Sequence, residues 1–202
     1  MKNKSTNMSE NTFHTSSIPE IFYSDSTKKP FTHCKVCQKD VIQTGEPYII
    51  EKAYGQDLIK GKRDMIFEVV YCLDCIQEIN ESLSEESRER ISNYFKTHTN
   101  LDKRDKELKK YELFEIDIWL NNCIVKNKSI DEVDEFQIYA LCIGNELLFH
   151  QAPYMVCGEA IEEVMELLSN KSLDILNDLM TDIIDLPPQY RELFKTRTPM
   201  IF

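Results

Sequence analysis

Residues 69–79 read VVYCLDCIQEI, and within them the chain changes its periodicity. Val69, Val70 and Tyr71 are β-branched or aromatic, the residue types that suit a pleated, half-buried surface. From Cys72 onward Ile76, Ile79 and Leu83 follow the spacing of one helical face. A strand therefore passes into a helix at Cys72, and Cys75 falls in the first helical turn. Backbone amides at a helix start lack intrahelical partners and favour negative charge, which suits a thiolate.

Toward the N-terminus, THCKVCQKDV at 32–41 carries Cys34 and Cys37 in the same spacing. Between the pairs lie two β-rich runs, EPYIIEKAYG at 46–55 and DMIFEVVYC at 64–72, joined by a stretch marked by Gly55 and Gly61. Such runs predict an antiparallel hairpin, with Met65, Phe67, Val69 and Tyr71 on one face and Ile66 and Val70 on the other. The 34 residues at 38–71 are long enough for that hairpin to bring the two cysteine pairs together.

Zinc prefers tetrahedral coordination and takes thiolates well; each Cys-x-x-Cys turn supplies one edge of the tetrahedron. Cys34, Cys37, Cys72 and Cys75 are accordingly the expected ligands of one zinc ion per chain. Four protein ligands leave no open position, so the site is structural rather than catalytic. His33, beside Cys34, is not needed as a ligand.

A knuckle, a hairpin and a helix carrying the second pair, in that order, resemble the treble-clef zinc finger over roughly residues 31–83. The resemblance names a structural class and implies a metal that holds the fold. Zinc ribbons usually place glycine after the second cysteine of each pair, where this chain has Gln38 and Ile76. A thioredoxin-like site needs one Cys-x-x-Cys in a βαβ setting. Treble-clef nucleases need histidines on hairpin and helix, and residues 46–83 contain none.

The 202 residues are 42% hydrophobic and 29% charged, the composition of an ordinary soluble globular protein. No apolar run reaches the length of about 18 residues that a membrane span requires. The first residues, MKNKSTNMSENTFHTSS, lack the apolar core of a secretory signal. Of seven cysteines, four are paired in sequence, which fits metal binding in a reducing cytoplasm better than disulfides. Cys123, Cys142 and Cys157 read as small buried hydrophobes.

These features predict an α+β fold: a treble-clef-like knuckle and hairpin packed with a mostly helical part containing a second hairpin. Residues 1–29 read as a disordered tail, in which IPEIFYS at 18–24 is an apolar stretch that docks on the fold or on a partner. Residues 30–83 form the four-cysteine zinc-binding module and 84–202 an acidic helical and hairpin region, whose apolar faces are expected to survive loss of the metal. Where the two meet, Ser82 and Glu85 match a capping box between two helices. A further helix is expected from the charged stretch at 100–112 to about Val125, with Leu113, Phe114, Ile116, Trp119, Leu120 and Cys123 inward. FQIYALCIGNELLFHQ at 136–151 reads as a hairpin turning at Gly144-Asn145. Two amphipathic helices follow, the second ended by Pro187 and Pro188. No long internal repeat is visible.

The net charge of −11 is uneven. Residues 1–75 balance ten basic against ten acidic side chains; the remaining 14 basic and 25 acidic ones lie beyond Cys75 and account for the whole excess. An acidic surface repels a phosphate backbone, so nucleic acid is not the expected partner. The expected function is that of a cytoplasmic, zinc-stabilised adaptor that binds another protein, with the acids of 159–185 either docking that partner or forming a solvated face. Two alternatives compete. A nucleic-acid-associated regulator would use the basic residues Lys52, Lys60, Lys62 and Arg63 of the first hairpin. A cysteine-dependent enzyme would use Cys157, at a helix start, with His150 as its base.

Overall fold

The computed structural model describes residues 14–57 and 62–183, and the strand-to-helix junction at Cys72 is in place. Among the described residues six strands form one antiparallel sheet: β1 (His14–Ser17), β2 (Pro47–Asp57), β3 (Lys62–Cys72), β4 (Glu135–Ile143), β5 (Glu146–Phe149) and β6 (Tyr154–Cys157). Six α-helices accompany it: α1 (Leu73–Ser82), α2 (Glu85–His98), α3 (Leu101–Lys110), α4 (Ile116–Leu120), α5 (Gly158–Glu166) and α6 (Asn170–Ile183). The α+β class expected from the sequence is the class found.

The strands run in the order β1-β5-β4-β2-β3, and β6 shares with β5 the edge of β4 that faces away from β2. Central β2 pairs along its length with β3 on one side and β4 on the other. Both of its faces are covered, so Ile50, Glu51, Lys52 and Ala53 are buried in succession. The β4–β5 hairpin turns at Gly144, whose φ of +54° is a conformation glycine adopts without strain. The Tyr48 hydroxyl closes on that turn, donating to the Gly144 carbonyl at 2.7 Å.

The first hairpin departs from strict alternation. Ala53 lies opposite Phe67, but Tyr54 lies opposite Met65, so Ile66 is the extra residue of a β-bulge. Cross-strand partners share a face, and Ala53 and Tyr54 point to opposite faces. Met65 is thereby moved off the face that holds Phe67, Val69 and Tyr71. Ile66 leans over Gly55, where a Cβ would meet its Cδ1 at 2.8 Å.

The expectation of a tail through residue 29 fails for residues 14–29. β1 pairs with β5 from His14↔Phe149 to Ser17↔Glu146, and Ile18 and Phe22 are buried. The segment is fastened to the sheet by charge as well. Lys52 donates to the Tyr23 carbonyl at 2.7 Å and stands 3.4 Å from Glu68, which accepts from the Ser24 hydroxyl and the Asp25 amide. Composition misses this because a few apolar residues carry the docking and the matching charges lie far along the chain. Residues 1–13 lie outside the described residues, as do Pro187 and Pro188.

The helix expected to reach Val125 ends at Lys110. Residues 111–115 interrupt it, with Glu112 at φ +52°, and α4 is a single short turn. Trp119, fully buried, donates its indole N–H to the Leu113 carbonyl inside that interruption at 2.7 Å, which satisfies a group a continuous helix would have used itself. The boundary between α1 and α2 falls where expected, but the cap is Ser84, not Ser82: Ser84 Oγ accepts from the Ser87 amide, while Ser82 donates back to Ile79. The start of α6 meets that of α2. The Ser84 amide donates to Ser172 Oγ at 3.0 Å, the Ser169 amide to Ser87 Oγ at 2.9 Å, and Ser84 and Ser169 share a hydrogen bond between their hydroxyls. One hydrophobic cluster draws on residues from Ile18 to Met180, spanning both the cysteine-rich and the acidic regions.

Candidate metal centre

The first cysteine pair sits in a tight turn. The Gln38 amide donates to the Cys34 carbonyl at 3.0 Å and the Cys34 amide to the Lys39 carbonyl at 2.9 Å, with Gln38 at φ +62° and a bridge between His33 and Asp40. The Lys35 amide donates to the Val70 carbonyl at 2.8 Å, which docks the turn on β3 just before Cys72. The Cys72 amide then donates to Cys34 Sγ at 3.4 Å. Lys39 clamps the arrangement from outside, pairing with Glu46 at 2.9 Å and with Asp74 in the first turn of α1 at 2.8 Å.

The result is that Cys34, Cys37, Cys72 and Cys75 place their sulfurs within 4.8 Å of one another. Cys37 and Cys72 are 3.7 Å apart. Four sulfurs at about 2.3 Å from a tetrahedral zinc ion would be separated by about 3.8 Å, so the donor set fits a metal in both chemistry and spacing. Cys34, Cys72 and Cys75 are buried and Cys37 is exposed. Burial opposes ionisation of Cys34, but the amides of Cys37, Cys72 and Val36 outweigh it and lower its pKa. Burial raises Cys72 and Cys75, and the neighbouring thiols raise Cys75 further. Crowded thiols of this kind ionise together only around a cation. His33 instead meets the Thr32 hydroxyl at 2.8 Å.

The other candidate residues go elsewhere. His150 Nδ1 lies 3.2 Å from Asp105, and Cys157 lies at the start of α5 against Cys123. Cys123 pushes the Cys157 thiol up, and burial adds to this, which is opposite to what a nucleophile needs. Of the four basic residues of the first hairpin, Lys52 is buried against Glu68, and Arg63 donates to the carbonyls of Ile130 and Val133. The side chains of Lys60 and Lys62 lie outside the described residues. Among the acids of α5, Glu159 pairs with Lys128 and Glu163 with Lys126 and Tyr94, whereas Glu162 and Glu166 are exposed, as are Asp174 and Asp178 on α6.

Cys142 behaves as the small buried hydrophobe expected, its thiol pushed up to about 12 by burial. Cys123 does not. Its sulfur accepts from the Cys157 amide at 3.3 Å and the Lys126 amide at 3.4 Å, in a turn of its own. The sequence signal for that turn is weak, because Cys123 and Cys157 have no second cysteine at the Cys-x-x-Cys spacing. No described helix is long and apolar enough to cross a membrane. No family model matches the chain, and neither a curated protein nor a solved structure is found to match it.

Proposed function

We propose that Cys34, Cys37, Cys72 and Cys75 hold one structural zinc ion in a treble-clef-type setting, and that the protein works in the cytoplasm by binding another protein. The observation that carries this reading is the mutual approach of the four sulfurs within 4.8 Å at a knuckle and a strand-to-helix junction. With four thiolate ligands the ion has no position left for substrate, so its contribution is to folding. The net charge of −11 and the exposed Glu162, Glu166, Asp174 and Asp178 favour a basic partner, steered by charge and held by apolar contacts nearby.

Elemental analysis of the purified chain is expected to return one zinc per chain; none, with the thiols reduced, would remove the metal reading. For the partner, association of a protein recovered by pull-down should slow on charge reversal at Glu162, Glu166 and Asp178, and lose part of its salt dependence. An unchanged rate and salt response would make these acids a solvated face.

A further inference from the structure

The turn around Cys123 repeats the turn around Cys34 bond for bond. The Asn127 amide donates to the Cys123 carbonyl at 2.8 Å and the Cys123 amide to the Lys128 carbonyl at 2.8 Å, as Gln38 and Lys39 do with Cys34. Asn127 has φ +55°, Gln38 +62°. Asn122 bridges Ser129 as His33 bridges Asp40. The Ile124 amide donates to the Met155 carbonyl, the counterpart of Lys35 and Val70. The Cys157 amide donates to Cys123 Sγ at 3.3 Å, the counterpart of Cys72 and Cys34 at 3.4 Å.

The correspondence extends well beyond the turn. β6 passes into α5 with Cys157 as the N-cap residue, as β3 passes into α1 with Cys72. Cys157 lies opposite Phe136 on β4 as Cys72 lies opposite Tyr48 on β2. α5 and α6 then follow as α1 and α2 do, and α2 and α6 both have 14 residues. The serine contacts between their starts are reciprocal: Ser84 to Ser172 and Ser169 to Ser87. At the middle of the sheet Glu51 of β2 faces Tyr139 of β4, its own counterpart. Two halves packed about a pseudo-two-fold axis produce this pattern. The long internal repeat absent from the sequence reading is therefore present in the structure.

Two residues break the match where it matters chemically. Lys126 stands at the position of Cys37, and Ala160, fully buried, at that of Cys75. We propose that Cys123, Lys126, Cys157 and Ala160 are the frame of a second zinc site, a counterpart of the four-cysteine site in which two of the four ligands have been exchanged. Lys126 Nζ lies 2.5 Å from Glu163 and 3.9 Å from Glu159. Lys128 pairs with Glu159 as Lys39 pairs with Asp74, so the outer clamp has been kept. Cys123 keeps the surroundings of a thiolate ligand: the Cys157 thiol, against burial and helped by the amides of Cys157, Lys126 and Val125, brings it down to about 6.

The inference takes its ligand chemistry from the zinc reading of the first site, and the test separates the two. Lys126→Cys combined with Ala160→Cys restores four thiols in the second frame. Zinc content should rise from one to two per chain, and cobalt substitution should double the intensity of the thiolate charge-transfer band. A wild type with no metal beside a double variant with one would remove the first-site reading and leave this one standing. A folded double variant that stays at the wild-type stoichiometry overturns the proposal. Should the double variant not fold, Lys126→Cys and Ala160→Cys taken singly each offer three sulfurs; cobalt uptake above wild type by either supports the frame, and uptake by neither overturns it.

Discussion

Lys52 and Glu68 show how much one buried charge decides here. Lys52 is 3% exposed, and burial lowers its pKa against the pull of Glu68. Lys52→Met removes the ammonium but leaves Glu68 with its bonds to Ser24 and Asp25, so the loss should fall at the low end for a broken buried pair, about 3 kcal/mol. Urea unfolding of the variant measures it, and the loosened segment at 18–29 should become the first site of proteolysis. Glu163 is a milder case. Lys126 first and Tyr94 second hold its carboxyl below the usual range, and its side chain is 39% exposed, so Glu163→Gln should cost under about 1 kcal/mol at neutral pH. A carboxylate with a depressed folded pKa stabilises above its unfolded value and loses that contribution as pH falls through the folded one. The gap between Glu163→Gln and wild type should therefore begin to narrow below about pH 4.5 and close as pH falls through the lower folded value, read from urea midpoints over a pH series. At this scale the clustering of Cys34, Cys37, Cys72 and Cys75 was legible because tetrahedral ligation would demand a fixed spacing of one residue type. Cys123 and Cys157 were not, because the other two positions of that pattern hold Lys126 and Ala160, and what remains is backbone geometry that no side chain announces.

Helix caps carry the clearest expectation among the elements. Ser84 accepts from the Ser87 amide and shares hydrogen bonds with Ser169 and Ser172, so Ser84→Ala removes a cap and opens a buried network at once. The expected loss is about 1–2 kcal/mol, against under about 0.5 kcal/mol for Ser82→Ala, which only releases a bond to its own helix. Equal losses in denaturant melts would return the cap to Ser82. The elements themselves were largely legible where apolar spacing is regular: the first hairpin, the turn at Gly144, the α1–α2 boundary and the two helices after Cys157. They were illegible where a distant group overrides local spacing. The helix expected to run to Val125 gives way because Trp119 takes the Leu113 carbonyl. The alternation on β3 slips at the Ile66 bulge, and β1 exists only because β5 offers it an edge. Each of these depends on contact between residues that periodicity reads separately.

Across the whole molecule the question is whether a metal held by the four cysteines would support one half or all of it. Apolar patterning alone predicts that residues 84–202 outlast the metal. The packing argues the other way: β2 and β4 pair along their length, the reciprocal serine contacts tie α2 to α6, and one hydrophobic cluster runs from Ile18 to Met180. The chain's single tryptophan reports on this without any added label, since Trp119 is fully buried and lies outside the cysteine-rich region, packed edge-on against Phe149. Cys72→Ser leaves three sulfurs and should release the ion; far-ultraviolet circular dichroism and Trp119 fluorescence should then shift to lower denaturant together, as one cooperative transition. Removal of the ion from the wild type with a strong chelator should move both signals in the same way, and zinc should restore them. A Trp119 transition that stays at its wild-type midpoint while the dichroism loses the amplitude of β3 and α1 would show that the acidic half stands alone, and that the extended β2–β4 pairing contributes little to its stability.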